Sequence, residues 1–201
     1  MNSDNLFHTG FWILIGGVLL MRIFFMARVR RAGERLTPDQ AAIQREGNGF
    51  FAIRVICFFG LIVILGSFAL DARWITALSV ACPDWLRGAG FLLGIGSLAL
   101  WVWTQHALGT MWSPNLMLRK EHRLVTTGPY ARIRHPLYAA MIGWSSGLAL
   151  VAANWVFLVL ALLVSTVFIF RVPREEQMLL GQFGEEYRQY MGRTGGLFPK
   201  L

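Results

Sequence analysis

Five apolar stretches, nearly free of charge, constrain this chain more than any other feature. They run over about 7–26, 50–70, 85–104, 137–152 and 155–170. Crossing the hydrocarbon of a bilayer takes about 20 apolar residues in a helix, with a range of roughly 17 to 25. Lipid offers no partner to open backbone, so such segments are expected to be helical. Of the 201 residues, 55% are hydrophobic and 15% charged, against about 25% charged in a soluble domain. The expected fold is an all-α integral membrane protein with five transmembrane helices. "VAANW" at 151–155 is the whole connection between the last two, which predicts a short antiparallel hairpin. In "GAGFLLGIG", Gly90 and Gly94 lie one turn apart on the third segment, a small-residue face suited to close helix packing.

Charge predicts the orientation. Arg28, Arg30, Arg31, Arg35 and Arg45 follow the first stretch; Arg119, Lys120, Arg123, Arg132 and Arg134 follow the third. Arg171, Arg174, Arg188, Arg193 and Lys200 follow the fifth. The intervening connections carry few basic residues, which places the N-terminus outside and the C-terminus in the cytoplasm. The membrane would be a bacterial or archaeal inner membrane or the endoplasmic reticulum. A net charge of +8 is accounted for by the anionic leaflet, so no nucleic-acid partner is expected. Cys57 lies in an apolar segment and Cys82 in a loop. Their different depths argue against a disulfide, and no Cys/His spacing suggests a metal. The opening "MNSDNLFHTGF" lacks a positive leader, so the first stretch reads as a retained span.

Two cytoplasmic segments, 105–136 and 171–201, flank the hairpin and are expected to converge at its mouth. The first contains "TTGPYARIRHPLY". Pro129 and Pro136 stiffen it and predict extended backbone at Arg134 and His135. Pro136 suits the first turn of the fourth helix, whose free N–H groups and dipole favour an anionic group such as a carboxylate. A basic loop touching lipid headgroups accounts for the same residues. In the second segment, Arg171 and Glu175 share a helix face, with Glu176 about 100° round. Pro173 between them predicts a kink or a restart. A charged pair at that boundary is a candidate site; an interfacial ion pair ending the span is the plainer reading. Leu179, Leu180, Phe183, Tyr187 and Tyr190 predict an amphipathic C-terminal helix along the interface, covering the bundle or lidding the site.

"HRLVTTGPYARIRHPLY", followed by "REEQMLLGQFGEEYRQY", resembles the isoprenylcysteine carboxyl methyltransferase family and its phospholipid-methyltransferase relatives. The resemblance covers roughly residues 105–201. It implies a membrane enzyme using S-adenosylmethionine (SAM). It places His122, Leu124, Val125, Tyr130, His135, Pro136, Leu137, Tyr138 and Glu175 at the donor, and Arg171 at the acceptor carboxylate. Arg134 and Glu176 join the donor-binding set by their chemistry and position, and Arg171 and Glu175 are the catalytic candidates. Ala139 and Ala140 stand where a glycine often follows the tyrosine, and "GRTGGLFPKL" is a shortened tail.

The expected reaction is methyl esterification of a carboxylate on a lipid-like or prenylcysteine-type acceptor entering from the bilayer. A carboxylate is already nucleophilic at neutral pH, so no general base is required. Methylation of a phospholipid amine or a small thiol is the nearest alternative. A nicotinamide-dependent sterol-type reductase, or a non-catalytic scaffold or transporter, are the others. Gly90 and Gly94 leave the oligomeric state open.

Overall fold

The structure, a computed structural model, describes residues 3–31, 48–108 and 124–200. These are helical throughout, apart from turns and two isolated bridges. In chain order the helices are α1 (Ser3–Arg31), α2 (Asn48–Ala69), the short α3 (Arg73–Thr76), α4 (Asp84–Leu108), α5 (Pro136–Ala152), α6 (Trp155–Phe183) and α7 (Glu185–Arg193). A 3-10 turn, Gly128–Ala131, precedes α5. Among the described residues, three helices are long and apolar enough to cross a membrane: α1 over Ser3–Arg28, α4 and α6. Pro136–Ala152 and Ile56–Ala69 are shorter apolar helices. Large apolar side chains cover the outside, with Leu20 70% and Phe170 72% exposed. In water such a belt would be a liability; in lipid it is matched to its solvent.

The helices overrun the apolar windows read from the sequence. Those windows mark hydrocarbon thickness, whereas helical hydrogen bonds continue into the polar boundary on either side. The restart expected at Pro173 does not occur: α6 is assigned as one helix from Trp155 to Phe183, with Pro173 inside it. Proline removes one helical N–H, here the donor to the Ile169 carbonyl. Pro173 and Ile169 both lie on the exposed side, beside the charged turn and away from the packed core. The amphipathic helix is also divided differently. Leu179, Leu180 and Phe183 end α6, and Gly184 at φ 53° separates them from α7. Its N–H closes the last turn on the Leu180 carbonyl at 2.9 Å. Only Tyr187 and Tyr190 of the expected stripe lie on α7, and both are buried.

The hairpin is tied at its tip. Ala153 takes the left-handed conformation at φ 46° and Asn154 caps α6, accepting from the Val156 N–H at 2.9 Å. The Asn154 amide also donates to the Ile75 carbonyl at 2.8 Å. Val80 N–H to Ala153 O and Trp155 N–H to Leu78 O stitch the α3–α4 connection to the same tip. Arg87 donates from Nε and Nη2 to the Val151 carbonyl and from Nη1 to Asp4 at 2.8 Å. Its guanidinium lies 4.2 Å from the Phe7 ring centroid. Phe11, Leu14, Ile75, Val151 and Phe157 form the core above this end.

Closest packing is between α4 and α5. A Cβ on Gly90 would meet Leu150 and the Gly147 carbonyl; one on Gly147 would meet the Gly90 carbonyl and the Gly94 N–H. The small-residue face expected on α4 thus meets a second one on α5, Gly143 and Gly147. Lipid tails are as apolar as leucine, so this backbone approach, with its dispersion and weak polar contacts, does much of the work of association. Gly147→Ala is expected to destabilise the protein by about 1–3 kcal/mol through overpacking against backbone that cannot yield. Gly96→Ala, on the same α4 with nothing within 4 Å of the added carbon, should be neutral or slightly stabilising. Unfolding midpoints in detergent check the pair.

Candidate active site

At the end of the hairpin away from its tip, α5 and α6 carry the polar residues together. The approach to α5 is built by glycine and proline. Gly128 sits at φ 62°, where an added Cβ would press on Ala107, and buried Pro129 opens the 3-10 turn. The Tyr130 carbonyl accepts from the Tyr190 hydroxyl at 2.6 Å, tying the turn to α7. Pro136 then begins α5 with no loss at a position whose N–H lacks a helical partner. His135, just before it, adopts φ −120° and ψ 57°. This is short of the extended backbone expected there, because the chain is already turning into the helix.

Two adjacent carboxylates on α6 divide the site. Glu176 Oε1 accepts from Arg134 Nε at 2.8 Å and lies 3.2 Å from His135 Nε2. Glu175 Oε2 accepts from the Tyr138 hydroxyl at 2.5 Å and stands 3.9 Å from His135 Nδ1. An ionised carboxylate can only accept, so Nε2 of His135 carries the hydrogen and Nδ1 presents a lone pair. Burial pushes the His135 pKa down, while Glu175 and Glu176 pull it up and Arg134 adds to the lowering. The ring is therefore neutral at physiological pH. Burial also raises the pKa of Tyr130, reinforced by Glu175, and that of Tyr190 is pushed up to about 12; both remain phenols.

An aromatic shelf lies against these groups. His135 stacks on Tyr138 with ring centroids 5.5 Å apart and planes 6° from parallel, and Tyr138 stacks on Phe168 at 4.6 Å. The Arg171 guanidinium is 6.0 Å from the Tyr138 ring centroid. Among the described residues, Arg171 Nε and the Tyr187 hydroxyl are buried without a hydrogen-bond partner. Each such group costs about 1–3 kcal/mol unless a ligand or water serves it.

The fold therefore assembles Tyr130, Arg134, His135, Tyr138, Arg171, Glu175 and Glu176. Pro136 is buried beneath them, and Leu137 packs on the Met21, Phe25, Trp101 and Ala140 cluster. Leu124 and Val125 are partly buried in the segment leading to the turn. His122 lies outside the described residues. Arg134 is already engaged, since Nη1 also donates to the Met191 and Thr194 carbonyls. Phe168 and the tail Thr194–Gly196 are additions the sequence reading lacked, and Tyr187, expected on the covering helix, joins them. The tyrosines of "FGEEYRQY" signalled their burial by helical spacing, whereas Phe168 is hidden in a run that looks like lipid-facing helix.

This geometry sits in a segment with known relatives. Residues 91–181 match the model of the isoprenylcysteine carboxyl methyltransferase family. They include every site residue on the turn, α5 and α6. The protein-S-isoprenylcysteine O-methyltransferase of Schizosaccharomyces pombe is 39% identical over 83 residues, 41% of this chain and 35% of that one. The nickel-cobalt-cadmium resistance protein NccN of Alcaligenes xylosoxydans xylosoxydans is 28% identical over 169 residues, 82% of this chain and 70% of that one. A solved structure of the eukaryotic intramembrane Ras methyltransferase ICMT superposes with a TM-score of 0.67 at 22% identity. That match covers 99% of this chain and 68% of the other, and it is a likeness of fold. This chain thus matches about a third of the length of the yeast enzyme. Apolar helices and the family match together mark it as an integral membrane protein.

The buried histidine gives a pH signature. Its folded pKa is depressed below the ordinary 6.5, so on acidification the unfolded chain takes up the proton first. The stabilisation is full above 6.5 and is lost as pH falls through the lower folded value. His135→Gln keeps an N–H for Glu176 without titrating. Between about pH 7 and pH 5, the unfolding midpoint of the wild type should fall more steeply than that of the variant. Parallel curves would mean that His135 is not the group responsible.

Proposed function

We propose that this chain is a SAM-dependent membrane methyltransferase that esterifies a carboxylate on a lipid-like or prenylcysteine-type acceptor. The observation that carries the reading is the placement, on one turn of α6, of Glu175 and of a half-buried Arg171 whose buried Nε lacks a partner among the described residues. The residues fit the donor. Glu175 and His135 Nδ1 are acceptors for amine or hydroxyl groups, and the Tyr138–Phe168 shelf offers flat apolar surface. The neutral state of His135 adds no positive charge beside a sulfonium. Tyr130, His135, Tyr138 and Glu175 would hold the donor, with the backbone and apolar side chains of Leu124, Val125, Pro136 and Leu137 enclosing it. When bound, SAM supplies an electrophilic methyl group on sulfur.

The chain's own residues do the rest. Arg171 orients the acceptor carboxylate by a charge-assisted contact. That carboxylate is already nucleophilic at neutral pH and needs no proton removed. Phe168 and Tyr138 exclude water, and alignment in a dry site supplies much of the acceleration. In this reading five helices span the bilayer, with α2 and α5 completing the three long ones. The N-terminus is outside, and the site opens to the cytoplasm of a bacterial or archaeal cell or from the endoplasmic reticulum. The acceptor's tail enters laterally between helices, and the donor enters from the aqueous side.

Calorimetry with S-adenosylhomocysteine, followed by labelled-methyl transfer to a prenylcysteine analogue, tests the proposal. Glu175→Ala is expected to weaken S-adenosylhomocysteine binding about tenfold or more, as loss of charge-assisted hydrogen bonds does. Arg171→Ala should lower transfer by a similar factor with little change in donor affinity. Wild-type affinity and turnover in both variants would refute the assignment, and binding of NADPH instead would point to reductase chemistry.

A further inference from the structure

The tail beyond α7 lies outside the segment matched to the family, yet it is bonded directly to the site loop. The Arg134 N–H donates to the Gly195 carbonyl at 2.8 Å and the His135 N–H to the Gly196 carbonyl at 3.0 Å. In return the Gly195 N–H donates to the Arg132 carbonyl at 3.1 Å, and Ile133 and Gly195 form a parallel bridge. This is a miniature sheet, two segments lying side by side just ahead of α5. Thr194, 2% exposed, anchors the tail to α7 by donating from its hydroxyl to the Tyr190 carbonyl at 2.6 Å.

Arg134 locks the arrangement from the side-chain direction. Its Nε is ion-paired to Glu176 on α6, while Nη1 serves the Met191 and Thr194 carbonyls at the end of α7. Terminal helix carbonyls lack helical donors and favour a cation. One planar guanidinium thus bridges α6, α7 and the tail, a task for a rigid fork and not for a point charge. Glu176, held in this way, fixes the His135 ring through Nε2. The His135 backbone is fixed by Gly196, so both ends of the residue depend on the same device. Gly195 has no room for a side chain, because a Cβ there would collide with the Phe198 carbonyl.

We infer that Arg134 and the tail Thr194–Gly196 form a strap that positions His135 and Glu176, and through them the donor site. Arg134 is then a positioning residue and not a ligand for the donor carboxylate. The role in donor binding rests on the function proposed above; the pinning of the loop does not.

Hydrogen exchange on the full-length protein in detergent, without ligand, reads the pinning. In Gly195→Ala and in Arg134→Ala, amides in a peptide covering 132–138 should exchange about tenfold faster, while those of α4 keep their protection. In the same variants the donor KM and the Kd for S-adenosylhomocysteine should rise about tenfold, with kcat within about twofold. Arg134→Lys should fall between these variants and wild type. Lys200→Ala, further along the tail and exposed, should match wild type. Unchanged exchange in Gly195→Ala would overturn the strap, as would faster exchange with unaltered KM and Kd. So would loss of α4 protection in Gly195→Ala, which would make the tail a global stabiliser. If the wild type itself fails to bind S-adenosylhomocysteine, the functional reading falls, and the exchange arm still decides the pinning.

Discussion

Two consecutive carboxylates, pointing to different sides of α6, hold the site together. Glu176 turns toward Arg134 and His135, and Glu175 toward the Tyr138 hydroxyl. Each closes a hydrogen-bonded circuit between α6 and the start of α5, so neither helix can rotate without breaking buried polar contacts. Buried polar groups are costly when unpaired, and here almost every one has found a partner. Among the described residues the exceptions are Trp101 Nε1, Arg171 Nε and the Tyr187 hydroxyl, and the last two, beside the carboxylates, are the informative atoms. They lie where the circuit is incomplete.

That polar junction works because the hairpin beneath it is rigid. Glycines 90, 94 and 147 let α4 and α5 approach backbone to backbone, Gly143 leaves room for the Ser97 side chain, and Asn154 and Arg87 fix the opposite tip. Tertiary strain is thus kept away from the site, whose side chains are set by short-range contacts on a firm base. The division is one of solvent: dispersion and close packing dominate in the apolar part, charge-assisted hydrogen bonds at the boundary.

Much of this was readable in the residues. Apolar runs forecast helices because lipid leaves no alternative, and Gly90 with Gly94 announced close packing. The matching glycines on α5 went unread, since a small-residue face has meaning only against its partner. Convergence of the two polar segments followed from the shortness of "VAANW" alone. Pro173 does not restart the helix, because the chain rule for proline is local and the helix around it tolerates one missing donor on its exposed side. Arg134 shows a different limit. Its charge and its neighbours suggested a ligand for an anion, and only the position of Thr194, sixty residues later, reveals what its guanidinium holds. A contact between distant loops leaves no periodicity to detect.

The unbroken course of α6 has a geometric corollary. From the Asn154 cap to Glu175 the helix rises about 30 Å at ~1.5 Å per residue, close to the hydrocarbon thickness of a bilayer of about 30 Å. In the five-span reading proposed above, a helix of that length with its tip stitched down would set its acidic pair near one boundary of the hydrocarbon. A molecule whose reactive head rides at the headgroup level would meet that pair without being lifted or submerged. Under the proposed function, bilayer thickness would then become part of the register between protein and substrate.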